Sequence, residues 1–468
     1  MLFTAAAYPI FSRPIYAIWK KACGNIKVEP DNRHRAQLRL INSFLTSHHY
    51  QNAILNDAKS KEILTNYLAY LDFGKYLFTH HDIQRFRQYN NVLDDFIRKG
   101  DLSVPFQLYN EFIEKRSEQI AWSLKRLEKP FSDNARGELQ LDREKVDWAK
   151  SDRELQERWE KRLLNEWIAL RLAKRSDEKA RSILKKRYSN MTKRINQPKA
   201  DEIFQLFANA ITSVYDPHTT YFSPRTGESF DISMSLSLEG IGAQLSMEEE
   251  LITIKELITG GPAQKSGKLS ANDHILGVAQ GISGAMEDVV GWRLDEAVNL
   301  IRGKRGTIVR LQIQKASNDE ITEITLVRDK IKLEDSAAQS KIKTITHNDK
   351  SYRIGIIELP SFYIDFDAYH RGDKNYRSTT RDVKKLLTEL QKQGIDGLLI
   401  DLRENGGGSL AEAVDLTGLF IDKGPVVQVR RADGDLTIHK DNDGKTFYDG
   451  PLAVLINENS ASASEIFA

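Results

Sequence analysis

The sequence has 468 residues, of which 29% are charged and 40% are hydrophobic. A chain of this length exceeds what one hydrophobic core usually organises, so several domains are expected. The formal net charge is only +2, from 68 basic and 66 acidic side chains, so no overall field favours nucleic acid as a partner. With a single cysteine, Cys23, and no cluster of cysteine and histidine, neither an internal disulfide bond nor a structural zinc site is expected.

The sequence of residues 1–33 predicts no defined helix or strand. The stretch Met1–Trp19 is mildly apolar, but it lacks a basic start, and two prolines and an arginine interrupt it, so it is a poor secretory signal. No part of the sequence approaches the roughly 18 consecutive apolar residues of a membrane-spanning helix. We therefore expect that the true start lies elsewhere, or that an export signal is missing or unusual.

The first half of the chain has the periodicity of α-helices from about residue 34 to residue 215. Polar connections such as Ser132–Lys150 separate the helical runs. We interpret residues 34–200 as a helical domain without chemistry of its own, followed by a joining segment at 201–235. One of its helices is indicated by apolar residues at four-residue steps, which are Leu155, Trp159, Leu163 and Trp167.

After residue 240 the pattern changes to short, β-prone runs separated by glycine-rich turns. One amphipathic helix, Leu294–Ile301, interrupts these runs. We interpret residues 236–330 as a small strand-rich module with a single prominent helix. The predicted strands are Gly242–Met247, Leu251–Leu257, His274–Val278, Thr307–Gln314 and Ile321–Val327.

From Ile354 onward, strands alternate with helices. This alternation predicts βαβ crossovers, and so an α/β layer over residues 331–468. The helices are indicated by the stripe Val383, Leu386, Leu387 and Leu390 and by the run Leu410–Phe420. The predicted strands are Ile354–Leu359, Gly397–Leu402, Val426–Val429 and Leu452–Ile456, the last of which is expected to be buried.

The last residues of the chain place a serine hydroxyl after a strand and at the start of a helix. Ser462 lies between two alanines, which leave room for a substrate backbone. Backbone N–H groups at a helix start can stabilise a developing anion, so Ser462 is a candidate nucleophile. A helix-capping role is the alternative.

A glycine-rich turn, Gly406–Gly408, follows the predicted strand Gly397–Leu402. Glycines can adopt positive φ angles and let the backbone approach a ligand closely, so the turn can direct N–H groups at an oxyanion. A plain strand-to-helix turn is the alternative.

A second glycine-rich loop consists of Gly240, Ile241, Gly242 and Ala243 and leads into a predicted strand. Such a loop suits a carboxylate, and the strand that follows it can accept an added peptide strand along its edge. An ordinary β-turn is the alternative. The floor of a side-chain pocket would be formed by one face of the amphipathic helix, with residues Leu294, Val298 and Ile301.

Separated motifs along the chain agree in type and order with one protein family. They are Asp216–Tyr221, Gly240–Ala243, Gly261–Ala263, Arg302–Gly306, Asp401–Gly408 and Ser460–Glu465. In the helical half, Tyr67–Asp72 and Leu124–Pro130 are similar to the N-terminal domain of the periplasmic, enterobacterial-type members. Over about residues 35–468 the chain therefore resembles the tail-specific, or C-terminal processing, serine proteases.

The resemblance implies a multidomain α+β protein. Its parts are an N-terminal helical domain, a PDZ domain and a ClpP/crotonase-like α/β protease core that is incomplete at its C-terminus. The Gly240–Ala243 loop and the helix face beside it match the peptide-binding site of the PDZ domain. The implied substrates are proteins with free, apolar C-terminal tails, and no metal ion or organic cofactor is implied.

The resemblance also implies roles for residues of the catalytic site. Ser462 matches the nucleophile, while Gly407, Gly408 and the N–H of Ala463 match the oxyanion region. Glu465 either helps to orient the site or lies on the helix surface. The family's general base is a lysine a couple of dozen residues beyond the serine, whereas this sequence ends at Ala468. We therefore expect the chain to lack the base and to be inactive alone.

The same resemblance implies the periplasm or cell envelope of bacteria as the location, with a lipoprotein adaptor as a partner. A non-catalytic PDZ peptide-binding protein or scaffold is the alternative function. A Ser-His-Asp hydrolase is a nearer rival, with His218 and His439 as candidate bases. No Gly-x-Ser-x-Gly motif surrounds Ser462, which disfavours that rival.

Overall fold

A computed structural model describes residues 27–51, 53–132, 138–195, 197–248 and 251–468, so the interpretation of Met1–Trp19 and of Cys23 lies outside the described residues. Two compact units are present. The first comprises residues up to Pro224 with 431–433, and the second comprises 225–430 with 434–468. Across the described ranges, no helix combines the length and the apolar character needed to cross a membrane.

The first unit is built from helices, as the periodicity of residues 34–215 predicts. Its helices are α1 Asn32–Ser47, α2 Asp57–Leu71, α3 His80–Phe86, α4 Leu93–Lys99, α5 Ser103–Arg126, α6 Asp152–Leu172, α7 Asp177–Ile195 and α8 Ala200–Thr212. The predicted stripe of α6 is confirmed, since its buried residues are Leu155, Trp159, Leu163 and Trp167.

One histidine–aspartate pair joins α1 to the start of α8, and a second joins the residues that follow these two helices. His34 Nε2 lies 2.6 Å from Asp201 Oδ1, and His49 Nε2 lies 2.5 Å from Asp216 Oδ2. Partial burial alone would raise the pKa of the Asp216 carboxyl. Hydrogen bonds from Thr219 Oγ1, from His49 and from backbone N–H groups outweigh that effect and hold the pKa well below its ordinary value. The second pair, together with Thr219, therefore fixes the start of the segment that begins at Asp216.

Helix α9, Pro224–Ser235, spans the boundary at 224–225 and leads into the strand-rich module of the second unit. The elements of the module are β1 Ser237–Gly240, β2 Ala243–Glu248, β3 Leu251–Leu257, α10 Pro262–Ser266, β4 His274–Gln280, β5 Glu287–Asp288, α11 Leu294–Ile301, β6 Ile308–Gln314, β7 Ile321–Val327 and β8 Asp329–Lys332. All five predicted strands and the predicted helix are present, with bounds that shift by at most a few residues.

The main sheet of this module has the strand order β2-β3-β4-β6-β7, with β5 paired to β4. Buried residues such as Ile252, Val309 and Leu311 form its core together with Ala297 and Ile301 of α11. Helix α11 packs against β2 and β4. Among the described strands, β2 pairs with β3 alone, so its other edge has no strand partner there. Strands β1 and β8 form a separate antiparallel pair, called the neck, where the chain enters and leaves the module.

An α/β layer follows the neck, as predicted. Its elements are β9 Gln339–His347, β10 Lys350–Glu358, α12 Phe366–His370, α13 Thr379–Lys392, β11 Gly397–Asp401, α14 Leu410–Thr417, β12 Gly424–Arg430, β13 Leu436–Asp441, β14 Leu452–Leu455 and α15 Ala463–Phe467. The sheet has the order β14-β11-β10-β9, in which β10, β11 and β14 are parallel and β9 is antiparallel to β10.

One prediction for this layer is wrong, and two of its strands were not predicted. Strand β14 is not buried, because it lies at the edge of the sheet and leaves Leu452 40% and Leu455 37% exposed. Strands β9 and β13 were not predicted because most of their side chains are polar and lie at the surface. Both strands pair in hairpins, so backbone hydrogen bonds rather than an apolar pattern define them.

The burial of α6 predicts a large difference between two of its leucines. Leu163→Ala removes a side chain that is 0% exposed and should lower the free energy of unfolding by about 2–5 kcal/mol. Leu172→Ala is the matched control, because Leu172 is 80% exposed and its loss should change stability by less than about 0.5 kcal/mol. Chemical denaturation monitored by circular dichroism measures both. Equal effects would contradict the packing of α6.

Candidate active site

The predicted nucleophile and the predicted glycine turn follow neighbouring strands. Gly406–Gly408 comes after β11, and Ser462 comes after β14. These strands are parallel and paired, with Leu399 opposite Ala453. Because the carboxyl ends of parallel strands meet at the same edge of a sheet, the two loops come together there.

Gly407 lies directly against the predicted nucleophile. A Cβ atom built on Gly407 would lie 2.8 Å from Ser462 Cβ and 2.9 Å from the backbone nitrogen of Ala463. The φ angle of Gly407 is +104°, which also favours glycine. A Cβ atom on Gly408 would lie 2.3 Å from the carbonyl oxygen of Phe362. Gly407 is therefore required for the close approach of the two loops, and Gly408 for the approach of the glycine turn to Phe362.

The backbone of Ser462 is strained. Its φ is +57° and its ψ is −115°, a combination that residues with a Cβ atom rarely adopt. The side chain is exposed, while Ala463 and Ser464 behind it are buried. A sharp turn that presents an exposed serine between a strand and a helix is typical of nucleophilic serines in hydrolases. The strain was not predictable from the alternating serines and alanines.

Two backbone N–H groups of the loops that meet at Ser462 have no hydrogen-bond acceptor among the described residues. Within the second unit, no hydrogen bond of the described residues uses the N–H of Gly408 or of Ala463. The N–H of Gly407, by contrast, donates to Asn405 Oδ1 at 2.9 Å. The oxyanion region therefore has two candidate donors. Gly407 contributes in another way, because its lack of a side chain lets Ser462 and Ala463 approach closely.

Asn405 joins the segments of the site, a role that sequence reasoning missed. The side chain is 0% exposed, and its Nδ2 donates to the carbonyl oxygen of Leu359 at 2.8 Å. The backbone carbonyl of Asn405 accepts the N–H of Ala461 at 3.1 Å and Ser464 Oγ at 2.8 Å. Asn405 thus fastens the glycine turn to the strand end on one side and to the serine loop on the other. An asparagine beside three glycines in a turn was the available signal.

Glu465 contacts the backbone of the predicted nucleophile. Its Oε2 accepts the N–H of Ser462 at 2.6 Å, as in a helix cap. Glu465 thereby holds the strained residue from the helix side. The rival base His439 lies on β13, opposite Val427 of β12. Within the second unit, no hydrogen bond of the described residues joins Ser462 to a lysine or histidine side chain.

The Gly240–Ala243 loop connects the neck to β2. The φ of Gly242 is +73°, and a Cβ atom there would lie 3.0 Å from Gly261 Cα. The carbonyls of Ile241 and Gly242 are engaged, since they accept the N–H groups of Ala263 at 2.8 Å and of Ile258 at 2.9 Å. No hydrogen bond described for this loop uses the N–H of Ile241 or of Gly242. Buried N–H groups without an acceptor are characteristic of an anion site.

The helix residues predicted for the side-chain pocket differ in exposure. Leu294 and Val298 are half-buried on α11, which packs against β2. Ile301 is only 3% exposed and belongs to the core of the module. Among the residues that the structure describes, no group of three or more histidine, cysteine, aspartate or glutamate side chains could hold a metal ion.

Comparison with known families divides the chain in the same way. The family "Tail specific protease N-terminal domain" matches residues 41–225, "PDZ domain" matches 229–314 and "Peptidase family S41" matches 353–468. The chain is 43% identical over 425 residues to the tail-specific protease of Haemophilus influenzae, which covers 91% of this chain and 59% of that relative. The predicted resemblance to the tail-specific proteases is confirmed. The predicted fold class, with its helical, PDZ and protease domains, is confirmed.

Other relatives cover less of the chain. The carboxy-terminal processing protease CtpA of Bacillus subtilis is 34% identical over 259 residues, which are 55% of this chain and 49% of that protein. The chain thus spans about half to three-fifths of the length of these two relatives.

Solved structures of similar proteins include the PDZ domain of a carboxy-terminal protease from Vibrio cholerae in complex with a peptide. It is 45% identical, covers 21% of this chain and all of that chain, and has a TM-score of 0.20. The photosystem II D1 C-terminal processing protease is 22% identical and covers 60% of this chain and 70% of that chain, with a TM-score of 0.27.

The strain at position 462 predicts an unusual order of stability between two variants. Ser462→Gly should be more stable than Ser462→Ala by about 1 kcal/mol, because glycine adopts a positive φ without penalty. The control is Ser464, which lies within α15, where glycine should be less stable than alanine by about 0.5–1 kcal/mol. Thermal unfolding of the four variants measures both differences. The same order at both positions would contradict the strained backbone of Ser462.

Proposed function

We propose that this chain is the substrate-binding and nucleophile-bearing part of a serine endopeptidase that processes the C-terminal tails of proteins. The observation that supports this function best is the strained, exposed Ser462 packed against Gly407, with the unused N–H groups of Gly408 and Ala463 beside it.

The proposed reaction is acyl transfer by a Ser/Lys dyad. Ser462 Oγ attacks the carbonyl carbon of the scissile peptide bond, and its proton passes to a neutral lysine amine. The oxyanion that forms accepts hydrogen bonds from Ala463 and Gly408. The carbon–nitrogen bond then breaks, the lysine returns the proton to the leaving amine, and water hydrolyses the acyl ester to release the acid and regenerate the serine.

The lysine is proposed to lie outside this 468-residue sequence. A lysine works as such a base when apolar burial lowers its pKa. No lysine in the described part of the second unit is hydrogen-bonded to Ser462, and the sequence contains none in a motif that matches the family's base. Loss of the base in such a catalytic unit typically costs several orders of magnitude in rate. The chain alone is therefore proposed to be inactive.

Substrate selection is proposed to occur at the PDZ domain. A protein tail would add as a strand to the open edge of β2, with its carboxylate at the unused N–H groups of Ile241 and Gly242. The half-buried apolar residues beside that edge suit apolar side chains at the end of the tail. They are Leu245, Met247, Leu294 and Val298.

By family resemblance, we further propose the bacterial periplasm or cell envelope as the location and a lipoprotein adaptor as a partner. The relatives named above from Haemophilus influenzae and Bacillus subtilis are bacterial proteases. A non-catalytic peptide-binding protein is the alternative function, because peptide binding at the PDZ domain requires no chemistry at Ser462.

Peptide hydrolysis separates these functions. The 468-residue chain should show no hydrolysis of a tail-bearing peptide, whereas a chimera carrying the remaining C-terminal part of the Haemophilus influenzae relative should cleave it. Ser462→Ala should abolish the activity of the chimera, while Ser460→Ala should leave it measurable. Cleavage by the 468-residue chain that depends on Ser462 would contradict the external lysine. A folded chimera that binds the peptide but never cleaves it would favour the non-catalytic alternative.

Peptide binding tests the recognition step independently of catalysis. The chain should bind a peptide with an apolar tail and a free carboxylate roughly ten- to hundredfold more tightly than its amide, as charge-assisted hydrogen bonds of about 1.5–3 kcal/mol imply. Fluorescence anisotropy measures both affinities. Equal affinities would remove the carboxylate from the mechanism of recognition.

A further inference from the structure

A cavity of about 510 Å³ is present in the second unit, between the neck and the α/β layer. Its walls come from the neck strands β1 and β8 and from the chain between Asp365 and Thr388, which includes α12 and most of α13. Pockets that bind small molecules typically have volumes of about 300–1,000 Å³. The cavity is therefore large enough to hold a small molecule.

The side chains that line this cavity carry a surplus of positive charge. Among its described lining residues, six are cationic and three, Asp365, Asp373 and Asp382, are acidic. The formal net charge of the whole sequence is only +2, so this local surplus is not an average property of the surface. The cationic residues are Lys330, Lys332, Arg377, Arg381, Lys384 and Lys385.

Two of the acidic side chains in the cavity already have partners. Asp365 Oδ2 accepts a hydrogen bond from Lys330 Nζ at 2.8 Å, and its Oδ1 caps α12. Asp382 Oδ2 accepts the hydroxyl of the buried Tyr363 at 2.8 Å and lies 3.0 Å from Arg377 Nε. These carboxylates are therefore engaged by other groups and do not neutralise the remaining cations.

Three cations of the cavity have no carboxylate beside them. Among the described residues, no ion pair includes Lys332, Arg381 or Lys384. The guanidinium carbon of Arg381 lies 3.9 Å from the ring centroid of Tyr376, and Lys384 Nζ lies 4.9 Å from the ring centroid of Phe447. Aromatic faces hold cations in place but do not cancel their charge. The three groups therefore favour the binding of an anion.

The placement of these cations indicates what kind of anion fits. Lys332 lies on β8, whereas Arg381 and Lys384 lie three residues apart on α13 and so share one face of that helix. An anion with two charged groups can contact both elements at once, which a singly charged ion cannot do. Phosphate groups suit these side chains, because a guanidinium binds phosphate oxygens through two parallel hydrogen bonds and an ammonium binds them as a point charge.

We propose that this cavity is a binding site for a small, multivalent anion that carries phosphate groups. Lys332 of the neck and Arg381 of α13 bind separate anionic groups of the ligand, so the bound anion links β8 to α13. None of the described lining residues belongs to the Gly240–Ala243 loop or to the loops that meet at Ser462. The inference therefore does not depend on the proposed function.

The test is isothermal titration of the full 468-residue chain with sodium pyrophosphate in a buffer free of divalent cations. Pyrophosphate should bind saturably at one site. Lys332→Gln and Arg381→Gln should each weaken binding roughly tenfold, as loss of a charge-assisted hydrogen bond implies. Arg381→Lys should fall between the wild type and Arg381→Gln, because it keeps the charge and loses the planar donor pair.

Lys392→Gln is the matched control. Lys392 is exposed at the end of the same helix α13 but does not line the cavity, so its loss should change the affinity by no more than about twofold. Lys332 is also exposed, so neither lysine variant should disturb the fold, which circular dichroism checks. Acetate, a singly charged anion, should bind at least about tenfold more weakly than pyrophosphate.

Several results would overturn the proposal. Absence of saturable binding of pyrophosphate would remove the site. Equal losses for Lys332→Gln and Lys392→Gln would show a general attraction to positive charge rather than a site in the cavity. Equal affinities for acetate and pyrophosphate would remove the requirement for a multivalent anion. Vesicles that contain phosphatidylglycerol test a lipid headgroup as the source of the phosphate, and binding to them that depends on Lys332, without binding of pyrophosphate, would contradict a small soluble ligand.

Discussion

The parallel pairing of β11 with β14 is the constraint on which the candidate active site depends. These strands come from parts of the chain that are about fifty residues apart, and their register aligns Asp401 with Leu455. Each strand then leads into a loop and a short helix at the same edge of the sheet. A shift of this register would separate Ser462 from the glycine turn, because the two loops meet where the paired strands end.

Side-chain and backbone hydrogen bonds secure what the strand pairing begins. Ser460 Oγ donates to the carbonyl oxygen of Leu402 at 2.8 Å, and Asn459 Nδ2 donates to Glu404 Oε2 at 2.8 Å. Asn405 adds buried hydrogen bonds to Leu359, to Gly407 and to Ser464. Such a set of bonds can hold Ser462 in a conformation that costs of the order of 1–3 kcal/mol. The strain is local, and the surrounding structure stabilises it.

Periodicity and turn chemistry predicted the architecture well because they report local constraints. Gly406–Gly408 after an apolar strand predicted a close backbone approach, and the structure shows Gly407 against Ser462. The strands of the PDZ domain and the helix α6 each bury one face, and a single buried face produces the apolar periodicity from which they were predicted. The order of the motifs then indicated the family, which the comparisons show.

Other features depend on which segments meet, and no local pattern encodes them. The burial of β14 was predicted from its apolar run, but its place at the sheet edge leaves Leu452 and Leu455 exposed. The role of Asn405 arises from three segments that converge on its side chain and its backbone carbonyl. The φ of Ser462 likewise results from its surroundings rather than from its neighbours in sequence.

The most direct test of Ser462 as the nucleophile is to trap the acyl-enzyme. The chimera that carries the relative's C-terminal part would be mixed with a peptide ester, quenched in acid and digested for mass spectrometry. Covalent catalysis at a serine leaves the acyl group on that residue during the burst phase. The account predicts the added mass on Ser462. An acyl group on Ser460, on Ser464 or on any other residue would contradict it.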